Sequence, residues 1–200
     1  MKVRSFMKLV GAVLVLAFVF GCAEAPKQDI EAAQAALQAA KAAEADRYAA
    51  DQFKAVQDSL DAAMAEIQQQ DSKFALMRNY DRAKAMLQSA LTAANAAAQA
   101  AATNKEAAKV EADTLKKQLE GSIAAAKELM KKAPKGKEGR AALEMIQNDI
   151  NTLEASVAEI TNAFSSGDFL TAKDKAQAGV TKINSIIEEL NNAIAKTKRR

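Results

Sequence analysis

The chain of 200 residues contains no histidine and no tryptophan, and it has a single cysteine, two prolines, two tyrosines and seven glycines. Each shortage excludes something. Without histidine, most zinc, copper and haem sites lose their usual ligand, and acid–base catalysis loses its commonest agent. A lone cysteine cannot close an internal disulfide. Few glycines and prolines leave little turn chemistry for a β fold. Without tryptophan, a pair of carboxylates lacks the usual sugar-stacking platform of a glycosidase cleft. There is no Gly-rich phosphate loop, no nucleophile elbow and no EF-hand spacing. Acidic residues are plentiful, among them Glu188-Glu189 and Glu154 with Glu159, but neighbouring acids on helices read as solvated faces. The sequence therefore predicts no enzyme, no catalytic residue, no cofactor, no metal site and no small-molecule substrate.

What is present begins at the N-terminus. Lys2, Arg4 and Lys8 precede an uncharged, almost wholly apolar stretch from Leu9 to Phe20. That stretch is shorter than the roughly 20 apolar residues a membrane-spanning helix needs, and it has the flanks of a signal-peptide core. It runs directly into Val19-Phe20-Gly21-Cys22. This tetrapeptide resembles a lipobox, the bacterial lipoprotein processing site, with Phe20 bulkier than the usual residue. The resemblance implies cleavage between Gly21 and Cys22, a diacylglycerol thioether on Cys22 and acylation of the new amine, which together anchor the chain to a membrane. An uncleaved N-terminal anchor and ordinary cleavage near Ala23–Ala25 are the competing readings. By analogy with enteric bacteria, Ala23 in place of aspartate directs such a lipoprotein to the outer membrane, facing the periplasm.

Cleavage would change the charge. The full chain has 28 basic and 25 acidic side chains, whereas the chain from Cys22 onward has 25 of each. A neutral body gives no signature of nucleic-acid binding. Only Lys196-Thr197-Lys198-Arg199-Arg200 is locally basic. It reads as a solvated helix end whose cations suit the helix dipole, or as a contact for an anionic polymer or headgroup.

The body is rich in Ala, Lys, Glu, Gln and Leu, the strongest helix formers. After a short tether (residues 22–28), Asp29 is expected to cap a helix from Ile30, with a weak break near Asp46–Asp51. Phe53, Val56, Leu60, Ala63, Ile67, Gln70 and Phe74 then alternate steps of three and four, a heptad seam. Leu143, Ile146, Ile150, Leu153, Val157, Ile160 and Phe164 repeat those spacings ninety positions later. A polar break, an aromatic and a new helix follow each seam, at Arg78-Asn79-Tyr80 and at Gly167-Asp168-Phe169. Two readings stand, a degenerate tandem duplication or the chance likeness of two coiled-coil segments.

Between the seams, residues 80–133 form one helix of about 80 Å at 1.5 Å per residue. It starts on an alanine seam (Ala83, Leu87, Ala90, Ala94, Ala97, Ala101) and continues on Leu115, Leu119, Ile123, Ala126 and Met130. Pro134, Gly136 and Gly139 end it. A last helix, from about Asp168 to Thr197, carries Ala176, Val180, Ile183, Ile187, Leu190 and Ile194. The fold class is all-α: an elongated antiparallel bundle of coiled-coil hairpins sharing one long central helix. The expected divisions are a signal peptide (1–21), the lipidated tether (22–28), an Ala-rich hairpin module (29–105) and a second helical module (106–200).

The order of features over residues 29–102 resembles an Ala-rich family of bacterial envelope lipoproteins of unknown function. In that family an Ala-rich helix leads to a Tyr-Ala-Pro-like step, a second helix, a Gly-Asp-Tyr-like turn and an Ala-rich third helix. Tyr48-Ala49 falls at the step, with Ala50 replacing the proline, which leaves the first two helices either broken or continuous. Asn79-Tyr80 falls at the turn without its glycine. Members are short Cys-anchored proteins, and the domain also occurs beside peptidoglycan-binding modules; the resemblance carries no catalytic residue. Two functions fit. One is a membrane-anchored structural or scaffolding lipoprotein, self-associating or packed on an envelope protein. The other is a periplasmic binding or chaperone-like adaptor that holds a partner in a helical groove lined by Met64, Met77, Met86, Met130 and Met145.

Overall fold

The structure is a computed structural model that describes residues 24–134 and 137–198. Its regular elements are all helical. They are α1 (Lys27–Ala42), the single turn α2 (Ala45–Tyr48), α3 (Ala50–Asp71), a 3-10 turn (Ala75–Met77), α4 (Asp81–Lys132), α5 (Lys137–Ser165) and α6 (Phe169–Lys198). No strand occurs among the described residues. The chain divides into two compact units, Met1–Ala102 and Thr103–Arg200. Helix α4 is continuous through that division, so it contributes to both.

In unit 1, α1, α3 and the first part of α4 pack as three helices. Ala33 of α1, Leu60, Ala63 and Ile67 of α3, and Tyr80, Ala83 and Leu87 at the start of α4 form one buried cluster. The seam continues along α4 through Ala90, Ala94, Ala97 and Ala101, all buried. Helix α1 starts at Lys27 rather than Ile30. Pro26 precedes it and no side chain caps it, so Asp29 lies inside the first turn. The reason is local. Proline has a φ suited to a helix start and no N–H to satisfy, and the Pro26 carbonyl accepts the Ile30 amide at 3.0 Å. The first two helices are broken, not continuous. Glu44 takes a left-handed φ of 60° after α1, and its amide donates to the Lys41 carbonyl at 2.8 Å. Tyr48 then buries its ring and α3 begins.

In unit 2, the rest of α4 packs with α5 and α6. Leu119, Ile123, Ile146, Ile150, Leu153, Ile160, Val180, Ile183, Ile186 and Leu190 fill the centre. Polar side-chain pairs report the directions. Lys116 reaches Thr161 at 3.5 Å and Lys127 reaches Glu154 at 2.5 Å, so α5 runs against α4; Lys182 reaches Asp149 at 2.7 Å and Lys175 pairs with Glu159, so α6 runs against α5. Lys173 lies 3.6 Å from Glu111, which sets α6 parallel to α4. These pairs lie at the surface, where water and salt screen them; they mark the register more than they hold it. Gly179 faces α4 at close range. A Cβ there would sit 2.7 Å from a methyl of the buried Leu119.

The α5–α6 turn closes tightly. Gly167 has φ 81°, its amide donates to Phe164 O at 3.1 Å, and the Asp168 amide donates to Ala163 O at 2.9 Å. This pair of bonds satisfies the last carbonyls of α5 and requires a left-handed residue that glycine supplies at no steric cost. Phe164 then meets Phe169 edge to face at 5.1 Å.

The seams differ in depth. Unit 1 buries mostly alanine methyls, whereas unit 2 buries Ile, Leu and Val. At about 25 cal/mol per Å² of apolar area, larger seam residues give unit 2 the greater driving force. Amide hydrogen exchange is therefore expected to open residues 29–101 at a lower free energy than residues 119–190; equal protection would refute the difference. Two glycines give a second check. Gly121 has nothing within 4 Å of a new Cβ, so Gly121→Ala should stabilise by roughly 1 kcal/mol from helix propensity. Gly179→Val should destabilise by about 1–3 kcal/mol through overpacking against Leu119. Urea denaturation reads both.

Candidate functional site

Gly21 and Cys22, the residues assigned to cleavage and lipidation, lie outside the described residues. What the structure describes is the end of unit 1 to which they lead. Ala25 packs against the buried cluster that contains Ile67 and Tyr80, and the Lys27 amide donates to its carbonyl at 2.8 Å. Because α2 returns the chain from α1 into α3, the start of α1 lies at the same end of the unit as the α3–α4 turn.

That turn, residues 72–80, lacks the glycine of its counterpart and is built from side chains instead. Tyr80 is buried and its hydroxyl donates to Asp71. Arg78 donates to the carbonyls of Asp71 at 2.8 Å and Lys73 at 3.1 Å, occupying acceptors left open where α3 ends. Gln70 holds the turn from within. Its Oε1 accepts the Asn79 amide at 3.1 Å and Lys73 Nζ at 3.0 Å, and its Nε2 donates to Glu66 at 2.8 Å. Glu66 also faces Arg82 at 3.6 Å. Asn79 Oδ1 accepts the Asp81 amide at 2.8 Å and so serves the start of α4. No buried side-chain nitrogen or oxygen among the described residues lacks a partner.

One consequence overturns an expectation. Phe74 does not extend the α3 seam. The helix ends at Asp71, and Phe74 is 72% exposed, with Leu76 at 69% and Met77 at 73%. Tyr80 takes the inner position, and one more residue separates Phe74 from Tyr80 than separates Phe164 from Phe169. Phe164 can therefore fold onto Phe169 while Phe74 remains outside.

The methionines do not converge on a groove. Met64 and Met86 pack against the unit 1 cluster and Met130 against the unit 2 core, whereas Met77 and Met145 are exposed. Glu154 and Glu159 are likewise not a pair: each binds a lysine of a different helix, Lys127 of α4 and Lys175 of α6. The bond from Lys175 holds the Glu159 carboxyl below its ordinary value. Glu188 and Glu189 are exposed. Among the described residues no group of three or more acids converges as a metal site, and no helix is long and apolar enough to cross a membrane.

Fold and turn together define an all-α protein of two three-helix units. Comparison of the chain with protein-family models, with curated proteins and with solved structures gives no match.

The hydrogen bond to Asp71, followed by burial and the Asp71 charge, raises the Tyr80 pKa above 10.0. A raised folded value means that the bond's stabilisation is whole below the unfolded phenol value and fades as pH climbs through the folded one. Tyr80→Phe should therefore lower the melting temperature at pH 7, and the gap to the parent should narrow above pH 10.0. A gap that widens with alkalinity would contradict the assignment.

Proposed function

We propose that the protein is a membrane-anchored periplasmic lipoprotein with a non-catalytic structural or scaffolding role in the cell envelope. The observation that carries the reading is the placement of Cys22. It is the only cysteine, and it follows an apolar stretch of signal-peptide length. Helix begins only five residues later, at Lys27, so a lipid on Cys22 would hold a folded body close to the bilayer. Acyl chains on the sulfur and on the amine together give an anchor far stronger than one chain, which binds only marginally. The outer membrane is the address proposed, on the identity of Ala23.

The body fits a spacing or packing role. Its carboxylates are spent on ion pairs and solvent, and most of its large apolar side chains on seams. It reads as two copies of one three-helix unit, and matched buried positions support that reading. Pro26, Ala33 and Ala40 correspond to Leu119, Ala126 and Ala133, and Val56, Leu60, Ala63 and Gln70 correspond to Ile146, Ile150, Leu153 and Ile160. In the third helix Ala83, Leu87, Ala94, Ala97 and Ala101 correspond to Ala172, Ala176, Ile183, Ile186 and Leu190.

The test is metabolic labelling with a radioactive fatty acid. The parent should incorporate label and fractionate with membranes, and Cys22→Ser should do neither. Unchanged membrane retention of Cys22→Ser would overturn the proposal.

A further inference from the structure

Five large apolar side chains stand out from the described surface: Phe74, Leu76, Met77, Val110 and Met145. Val110 on α4 and Met145 on α5 are each the one large exposed apolar residue of its helix among the described residues, and single surface hydrophobes are ordinary. The other three fall within four residues of one turn. We infer that the turn Lys73–Arg78 is a membrane-contact surface, whose Phe74, Leu76 and Met77 enter the headgroup–acyl boundary of the leaflet that holds the lipid of Cys22. The inference rests on the lipoprotein reading and deepens it.

Three observations support this occupant. The first is how the turn is held. Tyr80 to Asp71, Arg78 to two α3 carbonyls, and Gln70 to Asn79 and Lys73 fix its backbone from inside. These bonds leave the apolar side chains pointing away from the unit. The equivalent position in unit 2, Phe164, is covered by Phe169, so exposure is a property of this turn and not of the seam pattern.

The second is position. Ala25 packs against the cluster that runs through Ile67 and Tyr80, and α1 starts two residues later at the turn end of unit 1. Only two residues, Ala23 and Glu24, separate Cys22 from Ala25, at most about 11 Å of extended chain. A lipid on Cys22 therefore places a bilayer beside this turn. Side chains at an interfacial contact need to enter only about 5–10 Å.

The third is charge. Lys73 and Arg78 bracket the apolar residues; each spends part of its donors on the turn itself, and their positive charge is of the sign an anionic headgroup layer attracts. Glu24 on the tether is exposed, and the acids packed around the turn are engaged. Asp71 accepts from Tyr80, Glu66 binds Gln70 and Arg82, and Asp29 and Asp81 lie in helix first turns, where the dipole favours them. The contact adds little to an acyl anchor's grip. What it supplies is orientation, fixing this end of unit 1 against the leaflet.

The chain has no tryptophan, so a single one reports its own surroundings. Full-length protein, processed in cells and purified from membranes, is reconstituted into phosphatidylethanolamine–phosphatidylglycerol vesicles with bromine on the acyl chains. Leu76→Trp should shift its emission to the blue and lose most of its fluorescence to the brominated lipid. Gln52→Trp, exposed at the opposite end of the same unit, should stay red and unquenched. Adding Phe74→Ser and Met77→Ser to Leu76→Trp should abolish the quenching while helicity by circular dichroism stays unchanged. If the protein floats with the vesicles and carries lipid on Cys22 by mass spectrometry, yet Leu76→Trp is unquenched, the contact is refuted and the lipoprotein reading stands. Equal quenching of Gln52→Trp also refutes it. So does a blue shift that needs no lipid and grows with protein concentration, which would assign the turn to a second copy of the chain. If Cys22 carries no lipid and the protein does not float, both readings fall together.

Discussion

Burial along a narrow seam, about one residue in every three or four, is the constraint on which both units depend. A three-helix unit has no second layer to hide behind, so the side chains on that seam decide how closely the helices approach and how much apolar area leaves water. Unit 1 answers with alanine: Ala33, Ala63, Ala83, Ala90, Ala94, Ala97 and Ala101 are all buried. Small side chains allow close packing but remove little apolar surface each. Unit 2 answers with Ile and Leu at matching places, and needs Gly179 where α6 presses on Leu119.

This difference propagates into the turns. With little core to lean on, the α3–α4 turn of unit 1 is organised by polar side chains, above all Gln70, the one buried polar residue among those described. A buried amide is tolerable only because both of its ends are bonded, to Glu66 on one side and to Asn79 and Lys73 on the other. The α5–α6 turn of unit 2 needs no such network. Gly167 takes the left-handed conformation that closes it, and Phe164 and Phe169 complete the core beneath. The same supersecondary unit is thus closed by backbone geometry in one case and by side-chain bonds in the other.

Most of the helical plan was legible in the residues because it is written in a period. The steps of three and four through Val56, Leu60, Ala63 and Ile67, and again through Ile146, Ile150 and Leu153, name buried faces with no further information. So does the alanine seam from Ala83 to Ala101. What failed depended on local geometry that a period does not encode. Phe74 continues the spacing of its seam but falls beyond the last turn of α3, and spacing alone cannot say where a helix stops. Asp29 is a good capping residue, but Pro26 offered an earlier start. The break between α1 and α3 turns on Glu44 adopting a left-handed φ, a conformation no glycine announced. The five methionines share a chemistry but not a place. The exposed turn could have been suspected from the missing glycine at Asn79-Tyr80, since a turn that cannot close tightly must find room for its side chains.

Tether length then connects the anchor to the body. A long linker would let the helices sample any distance from a bilayer and make the composition of a single turn irrelevant to it. Here Pro26 is buried and Lys27 is already helical, so on the proposed lipoprotein reading a lipid on Cys22 would lie almost at the folded body. An apolar turn at that end would meet either water or membrane at every moment the anchor is engaged. Three uncovered side chains as large as Phe, Leu and Met oppose solubility in the first environment and are accommodated in the second. A turn fixed from within by Tyr80, Arg78 and Gln70 cannot escape by folding them inward. The polar network that substitutes for a glycine is therefore also what commits this end of the unit to an apolar surface.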